Sequence, residues 1–379
     1  MKIKKISTDI KDIPILSFFT GGGFLDMGFE KAGFSVVWSN EANPVFAGLY
    51  SYGMTKWKQS KNPGTSVVNI SCVKKLEAVF APEIIKLAFP SGEPSLFGII
   101  GGPPCPDFST GGKNEGGKGI NGRLSKTYVH RIVSMMPSFF VFENVPGLYN
   151  TRKHRDFLRE IETILEKAGY CIDLKILNAL EFGVPQNRER LIMIGIQNSI
   201  VKSCLGRNIV KNERGWFIWP EPAYKDAKEK YQWPSVVKKI SQITLPPTIP
   251  LELTVYSLLD NKNDPEKLPN GKDCFKTYSE KFDKIKEGDV NRKSFKRLHR
   301  YRFSPTACYG HNEVHLHPWA PRRLSVREAM RIQGIPDTYA LPDDATLTAK
   351  FTLVSNGVPV PLAYAVANSL KIFLNRREF

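Results

Sequence analysis

The feature that most constrains the fold is a regular alternation of short apolar runs and helix-like stretches that begins at Ile13. The runs are rich in β-branched and aromatic residues, which is typical of buried strands. Strand candidates span 13–19, 34–40, 66–70, 95–100, 138–144, 171–177 and 190–196, and helix candidates lie near 24–33, 43–52, 124–136 and 153–168. This order predicts an α/β fold, a doubly wound Rossmann-like parallel sheet, with ligands bound beyond the carboxyl ends of its strands.

The alternation stops after Ile196, where a segment rich in proline, lysine and aromatic residues begins. Order returns near residue 320 with "RRLSVREAMRIQGIP", in which Ser325 is a candidate helix N-cap, and an apolar helix is predicted from about Pro361 to Leu374. The pattern therefore divides the chain into a sheet-forming part at 1–196, a segment without regular alternation at 197–318, and an ordered segment at 319–379.

The charge balance points to a polyanionic partner. The chain has 54 Lys and Arg residues against 37 Asp and Glu residues, a net charge of +17. Residues 197–318 alone carry 22 basic and 14 acidic groups. Six cysteines without a CxxC pair suggest neither disulfides nor zinc, and no apolar run predicts a membrane span, so a cytosolic protein is expected.

A glycine-rich turn follows the first predicted strand, in "FFTGGGFLDMGFEKAGF" at 18–34. Glycines at a strand-to-helix turn allow a nucleotide-like ligand to approach the backbone, although a tight turn that needs positive φ gives the same signal. Glu41 ends the next strand, where a carboxylate can bind ribose hydroxyls. The pair indicates an adenosine-containing cofactor, and because the spacing is not GxGxxG, NAD is not the first choice.

Cys105 stands out from the other cysteines because "IIGGPPCPDFS" holds it behind two prolines at the end of a strand. A stiff backbone beside a basic cleft suits a thiolate nucleophile. The glycine-rich segment 109–123 that follows is well suited to close over a polyanion. A buried structural thiol beside a surface loop is the alternative.

Two further segments carry groups suited to catalysis. Glu143 ends the fifth predicted strand after "SFFVF", where burial favours a protonated carboxyl that can donate a hydrogen bond to a ring nitrogen. Arg188 and Arg190 alternate in "FGVPQNRERL", so both face one side of an extended segment and can meet a carbonyl or phosphate. A salt-bridged glutamate and solvated arginines are the alternatives.

Taken in order, the glycine-rich turn, Glu41, Pro-Pro-Cys, Glu-Asn-Val and Gln-x-Arg-x-Arg resemble the DNA (cytosine-5) methyltransferase family, of the bacterial restriction-modification type. The resemblance implies that Cys105 attacks C6 of a flipped-out cytosine, that Glu143 engages N3, and that Arg188 and Arg190 hold the base and the geometry of the site. It implies S-adenosylmethionine as methyl donor, in a pocket formed by Phe19, Gly21, Gly23, Glu41, Asn69, Ile70, Pro104 and Asn356. Expected DNA contacts are Ser109, Lys113, Lys118, Arg123 and Gln186. No metal is expected.

The same resemblance implies that 1–196 is the first part of the catalytic domain, that 197–318 is a smaller, irregular, mostly-β domain inserted into it for recognition of double-stranded DNA, and that 319–379 returns to complete the catalytic domain. A cognate restriction endonuclease that acts separately on the same site, a monomeric enzyme, and a nucleoid-associated location in the bacterial cytosol are also expected.

Three residues depart from the pattern of the family: Phe24 in place of a further glycine, Asn69 in place of a common acid, and Ala42 in place of a large side chain against the adenine. Weaker alternatives are an RNA cytosine-5 methyltransferase, a catalytically silent DNA-binding relative and a Rossmann oxidoreductase. The Cys-Phe-Thr tripeptide typical of the RNA branch does not occur after Glu-Asn-Val.

Overall fold

The computed structural model describes residues 12–63, 72–104, 120–237, 243–259, 264–277 and 280–376. Its centre is a six-stranded sheet. The strands are β1 (Ile13–Phe18), β2 (Phe34–Asn40), β3 (Gly98–Gly101), β4 (Phe139–Asn144), β5 (Tyr170–Asn178) and β6 (Glu189–Gln197). Their order in the sheet is β2-β1-β3-β4-β6-β5. The predicted strand at 66–70 lies outside the described residues.

Helices cover both faces of the sheet and continue through the rest of the chain. They are α1 (Phe24–Lys31), α2 (Pro44–Lys61), α3 (Ala81–Ala88), α4 (Ile120–Met135), α5 (Gly147–Asn150), α6 (Arg152–Lys167), α7 (Asn198–Leu205), α8 (Ala227–Lys230), α9 (Tyr256–Leu259), α10 (Val326–Ile332), α11 (Leu347–Asn356) and α12 (Val360–Leu374). The doubly wound α/β prediction is confirmed. Helices α3, α7 and α11 and the one-turn helices α5, α8 and α9 were not predicted.

One strand corrects the prediction of a parallel sheet. β1, β2, β3 and β4 pair in parallel, but β6 is antiparallel to both β4 and β5. The connection between β5 and β6 contains a 3-10 turn at Ala179–Phe182 and no crossover helix. Without a crossover the chain can only reverse direction, as in a hairpin. The amino end of β6 therefore meets the carboxyl end of β4.

Two apolar layers of the core lie on the two faces of the sheet, and a third cluster packs α1 and α2 against α10 and α11. One layer joins the strands to α1, α7 and α12, and the other joins them to α3, α4 and α6. β4 is buried along its whole length, as its run of aromatic and β-branched residues predicts. Trp216 and Phe217 also belong to the first layer, so the beginning of segment 197–318 packs against the sheet.

The inserted segment differs from its prediction. Between Asn198 and Pro318 the described residues form short α and 3-10 helices and isolated bridges, and none of the named strands, so the expected mostly-β structure is not found there. In this segment, side chains take the place of neighbouring strands as hydrogen-bond partners of the backbone. Buried Arg297 donates hydrogen bonds to the carbonyls of Phe282, Ile285, His317 and Ala320. An irregular backbone stays satisfied in this way without a sheet.

Helix α12 of the returning segment packs against the sheet in the layer that contains α1. Ser325 caps α10 in a reciprocal capping box with Glu328, which confirms the predicted N-cap. The stretch Leu347–Leu374 is apolar enough by composition to cross a membrane, but it forms two helices, α11 and α12, and its apolar window is 61% buried inside the protein. These helices are part of the core.

Candidate active site

The glycine-rich turn between β1 and α1 has an unusual backbone. Phe19, Gly21 and Gly23 have φ values of 54°, 53° and 77°, in the left-handed region that favours glycine. Both carboxylate oxygens of Glu41 accept backbone N–H bonds, from Gly21 at 2.9 Å and from Asn43 at 2.9 Å. Glu41 therefore fastens the turn to the start of α2, in addition to any role towards a ligand.

Residues of the returning segment pack against this turn. The Tyr339 hydroxyl donates a hydrogen bond to the carbonyl of Gly22 at 2.9 Å. Phe24 is buried, and its ring meets that of Tyr339 edge-on at 5.4 Å. A Cβ on Gly357 would lie 2.1 Å from the Phe24 ring. The departure at Phe24 is thus a packing feature matched by a glycine opposite it.

A cavity of about 1340 Å³ lies at the carboxyl edge of the sheet, as the fold predicts. Its walls include eight of the predicted site residues: Phe19, Gly21, Glu41, Pro104, Glu143, Arg188, Arg190 and Asn356. Gly23 does not line the cavity, because it packs beneath the turn, where a Cβ would meet Tyr50 and Met54.

Glu143 lies at the end of β4 and is 7% exposed. Its Oε1 is 2.9 Å from Nε of Arg190, which the antiparallel β6 brings to the same edge. Burial raises the pKa of Glu143, and the positive charges of Arg190 and Arg188 oppose that rise. The site thus holds a desolvated carboxyl that keeps its proton to a higher pH than an exposed glutamate does.

Gly102 explains how the Pro-Pro segment reaches this carboxyl. A Cβ at position 102 would lie 2.5 Å from Oε2 of Glu143, so glycine lets the chain pass close to this carboxyl without displacing it. Pro103 and Pro104 follow directly and line the same cavity. Cys105 is the next residue along the chain and lies outside the described residues, as do Asn69, Ile70, Ser109, Lys113 and Lys118.

Arg188 joins three segments instead of facing solvent. It is 1% exposed, and its guanidinium donates hydrogen bonds to the carbonyls of Ala307 at 3.1 Å, Ser355 at 2.6 Å and Gly357 at 2.9 Å. Asn356, between the last two, lines the cavity. Arg188 thus holds the two wall segments at Ala307 and at Ser355–Gly357 in place. Arg190, in contrast, contacts the carboxyl of Glu143.

Two residues that were predicted to contact DNA, Gln186 and Arg123, do not line the cavity. Gln186 is fully buried, and its amide bonds to the Ile332 carbonyl, the Gln333 side chain and the N–H of Ala307, which argues against a DNA contact by this side chain. Arg123 is exposed on α4 and does not line the cavity.

Two parts of the site were not predicted from the sequence. Thr306, Ala307, Cys308 and Tyr309 line the cavity beside Arg188, which bonds to the Ala307 carbonyl, and no local motif marks them. Asp26 is fully buried under the turn and accepts hydrogen bonds from Ser17 at 2.6 Å and Tyr50 at 2.8 Å. Burial raises the pKa of Asp26 to about 6. An acid among the apolar residues of "FLDMGF" was the available signal.

Comparison with known proteins decides the family. The family model for the C-5 cytosine-specific DNA methylases matches residues 13–372. The chain belongs to this family. It is similar to the Type II methyltransferase M.NmeDI of Neisseria meningitidis serogroup C, with 42% identity over 97% of this chain and 86% of that protein. It is also similar to the Type II methyltransferase M.FnuDI of Fusobacterium nucleatum, with 30% identity over 96% of each chain.

Solved structures agree with this assignment at the level of the fold. The crystal structure of the S. pombe Dnmt2 methyltransferase superposes with a TM-score of 0.57 at 14% identity, covering 96% of this methylase and 98% of that chain. This methylase is therefore an enzyme of the cytosine-5 DNA methyltransferase family, of the restriction-modification type. The resemblance inferred from the order of the motifs is confirmed.

The position of Arg188 predicts a specific effect on stability. Arg188→Ala is expected to lower the free energy of unfolding by about 3 kcal/mol or more, because three buried carbonyls lose charged donors. Denaturant unfolding measures this change. Arg207→Ala is a matched control, since Arg207 pairs with Glu213 on the exposed surface, and it should leave stability nearly unchanged. Equal losses in the two variants would contradict the role given to Arg188.

Proposed function

We propose that this methylase transfers a methyl group from S-adenosylmethionine to C5 of a cytosine that is flipped out of a short, specific sequence of duplex DNA. Cys105 is the nucleophile and forms a covalent bond to C6. The observation that carries the proposal is the buried Glu143, 2.9 Å from Arg190, at the cavity edge reached by the Pro103–Pro104 segment.

The cavity residues fit the methyl donor. Thr20 Oγ1 is buried at the cavity wall and has no hydrogen-bond partner in the described part of the chain. A Cβ on Gly21 would meet no atom within 4 Å, so the turn presents polar backbone to open space. Phe19, Gly21, Glu41, Pro104 and Asn356 would hold the donor, together with Asn69 and Ile70, and Gly23 would shape the turn. When bound, S-adenosylmethionine supplies an electrophilic methyl group.

The chemistry of cytosine explains the need for the other residues. C5 is too weak a nucleophile to accept a methyl group unaided. The Cys105 thiolate adds to C6, and the Glu143 carboxyl donates its proton or a hydrogen bond to N3, which makes C5 enamine-like. Methyl transfer to C5 would leave S-adenosylhomocysteine. Water would then accept the proton of C5 as the C6–S bond breaks and the Cys105 thiolate leaves, and any proton held by N3 returns to Glu143, which restores the aromatic ring. Arg190 holds Glu143 in place, and Arg188 holds the walls.

DNA reaches this site only with the base extruded, because stacking shields C6 in a duplex. Residues 109–123, with Ser109, Lys113 and Lys118, are proposed to close over the DNA. We infer that residues 197–318 select the target sequence, and that 319–379 complete the catalytic domain. The enzyme is further proposed to act as a monomer in the bacterial cytosol, with a separate cognate restriction endonuclease for the same sequence.

Transfer of labelled methyl groups tests the proposal. The intact enzyme is incubated with labelled S-adenosylmethionine and either unmethylated genomic duplex DNA or transfer RNA. Label is expected in DNA and at background level in RNA. Label in RNA alone would favour the RNA methyltransferase alternative, and label in neither, with DNA binding retained, would favour a silent relative.

A further inference from the structure

A second cavity of about 450 Å³ adjoins the first. The two cavities share wall residues, which are Asn187, Lys228, Thr306, Cys308 and Glu313. The other walls of the second cavity come from residues 290–305 and His315. A strand of nucleic acid with one base in the first cavity would therefore have neighbouring groups at the second.

The charges in the second cavity are unbalanced. Four cationic side chains line it, and Glu313 is the one acid among the wall residues that the structure describes. The cations are Lys228, Lys293, Lys296 and Arg302. Lys228 lies 3.7 Å from the carboxylate of its neighbour Glu229, whereas Lys293, Lys296 and Arg302 form no ion pair with any described residue.

Partial burial increases the need for a counter-charge. Lys296 is half-buried, and Arg302 is half-buried with its guanidinium over the ring of Phe303 at 5.3 Å. Burial lowers the pKa of Arg302, and burial together with the nearby charge of Lys296 lowers the pKa of His315 to about 3. Like charges in a partly desolvated cleft repel one another, and an anion in the cleft relieves that repulsion.

We propose that the second cavity binds phosphodiester groups of the DNA strand that carries the target cytosine, with Lys293 and Lys296 as the contacts. This proposal rests on the proposed function, because the shared wall places the anion next to the extruded base. Its role is to position the strand without selecting its sequence, since phosphate contacts carry no sequence information.

The double variant Lys293→Gln/Lys296→Gln tests the proposal in the full-length enzyme. Duplex binding is measured by fluorescence anisotropy over a series of salt concentrations, and kcat and KM are measured by methyl transfer. The slope of log K against log salt is expected to fall by about 0.9 per lost contact, and KM for DNA to rise about tenfold or more. The kcat and the methylated sequence should not change.

The matched control is Lys86→Gln/Lys175→Gln. Both lysines are exposed, line neither cavity and form no ion pair with a described residue. This control should retain the wild-type slope. A melting curve checks folding, and Lys293→Gln alone replaces the double variant if the latter unfolds.

Three results would overturn the proposal: an unchanged salt slope, an equal change in the control, or a changed target sequence, which would assign these lysines to base contacts. The anisotropy experiment measures DNA binding and does not require methyl transfer. A wild-type enzyme that binds DNA but fails to methylate it would therefore count against the proposed function, and the salt dependence of binding would still test the role of the two lysines.

Discussion

Cys105→Ala is expected to abolish methyl transfer, with a loss of about 10⁴-fold or more, because removal of a covalent nucleophile removes the route that it opens. Without a thiolate at C6, C5 of cytosine does not become nucleophilic enough to accept the methyl group. Transfer of label to DNA measures the loss. Binding of the DNA duplex should survive, since the cationic surfaces of the protein are unchanged.

Cys204→Ala is the matched control, because Cys204 is half-buried on α7 and does not line the cavity. It should retain wild-type turnover. A duplex with 5-fluorocytosine in the target position adds a direct test, since fluorine cannot leave C5 as the proton does and the adduct persists. Such a covalent complex should form with the control and not with Cys105→Ala. Retention of methyl transfer by Cys105→Ala would contradict the covalent route.

Glu143→Gln is expected to lower kcat by about 10²-fold or more, which is a typical contribution of general acid catalysis. The amide can still donate a hydrogen bond to N3, but it cannot give up a proton, and it leaves the buried Arg190 without its carboxylate. Steady-state kinetics with a saturating duplex measures the loss. Glu93→Gln, at an exposed position away from the cavity, is the control.

The pH dependence of kcat has a definite sign. Burial raises the pKa of Glu143, against the opposing charges of Arg190 and Arg188, so the carboxyl keeps its proton to higher pH than its ordinary value allows. As the pH rises through that raised pKa, the donor to N3 is lost and kcat falls. The wild-type profile should therefore have an alkaline descending limb that Glu143→Gln lacks. If Glu143→Gln kept this descending limb, the fall in kcat would have to come from the ionisation of another group.

The elements whose sequence carries a local signal were predicted well. β4 is a continuous buried run, the turn at Gly21 needs positive φ, and the helix of the returning segment begins at a Ser325 cap. In each of these cases the physical cause lies within a few residues of its effect. Glu143, at the end of β4, was placed for the same reason.

The parts that were missed depend on contacts between distant residues. The hydroxyl of Tyr339 bonds to Gly22, 317 positions away, and Arg188 bonds to Ser355, 167 positions away. No local pattern marks either pair. The direction of β6 is set by the short connection that precedes it, and the backbone of the inserted segment is held by side chains such as buried Arg297. Neither feature follows from the spacing of apolar residues along the sequence, so neither was predicted.

Base-resolution mapping of cytosine methylation tests the central claim most directly. Unmethylated genomic duplex DNA is treated with S-adenosylmethionine and either the wild-type enzyme or Cys105→Ala, and the modified bases are then identified. The covalent route through Cys105 predicts 5-methylcytosine in one short sequence context with the wild type, and none with the variant. Methylation at another atom or base, or an unchanged map with Cys105→Ala, would contradict it.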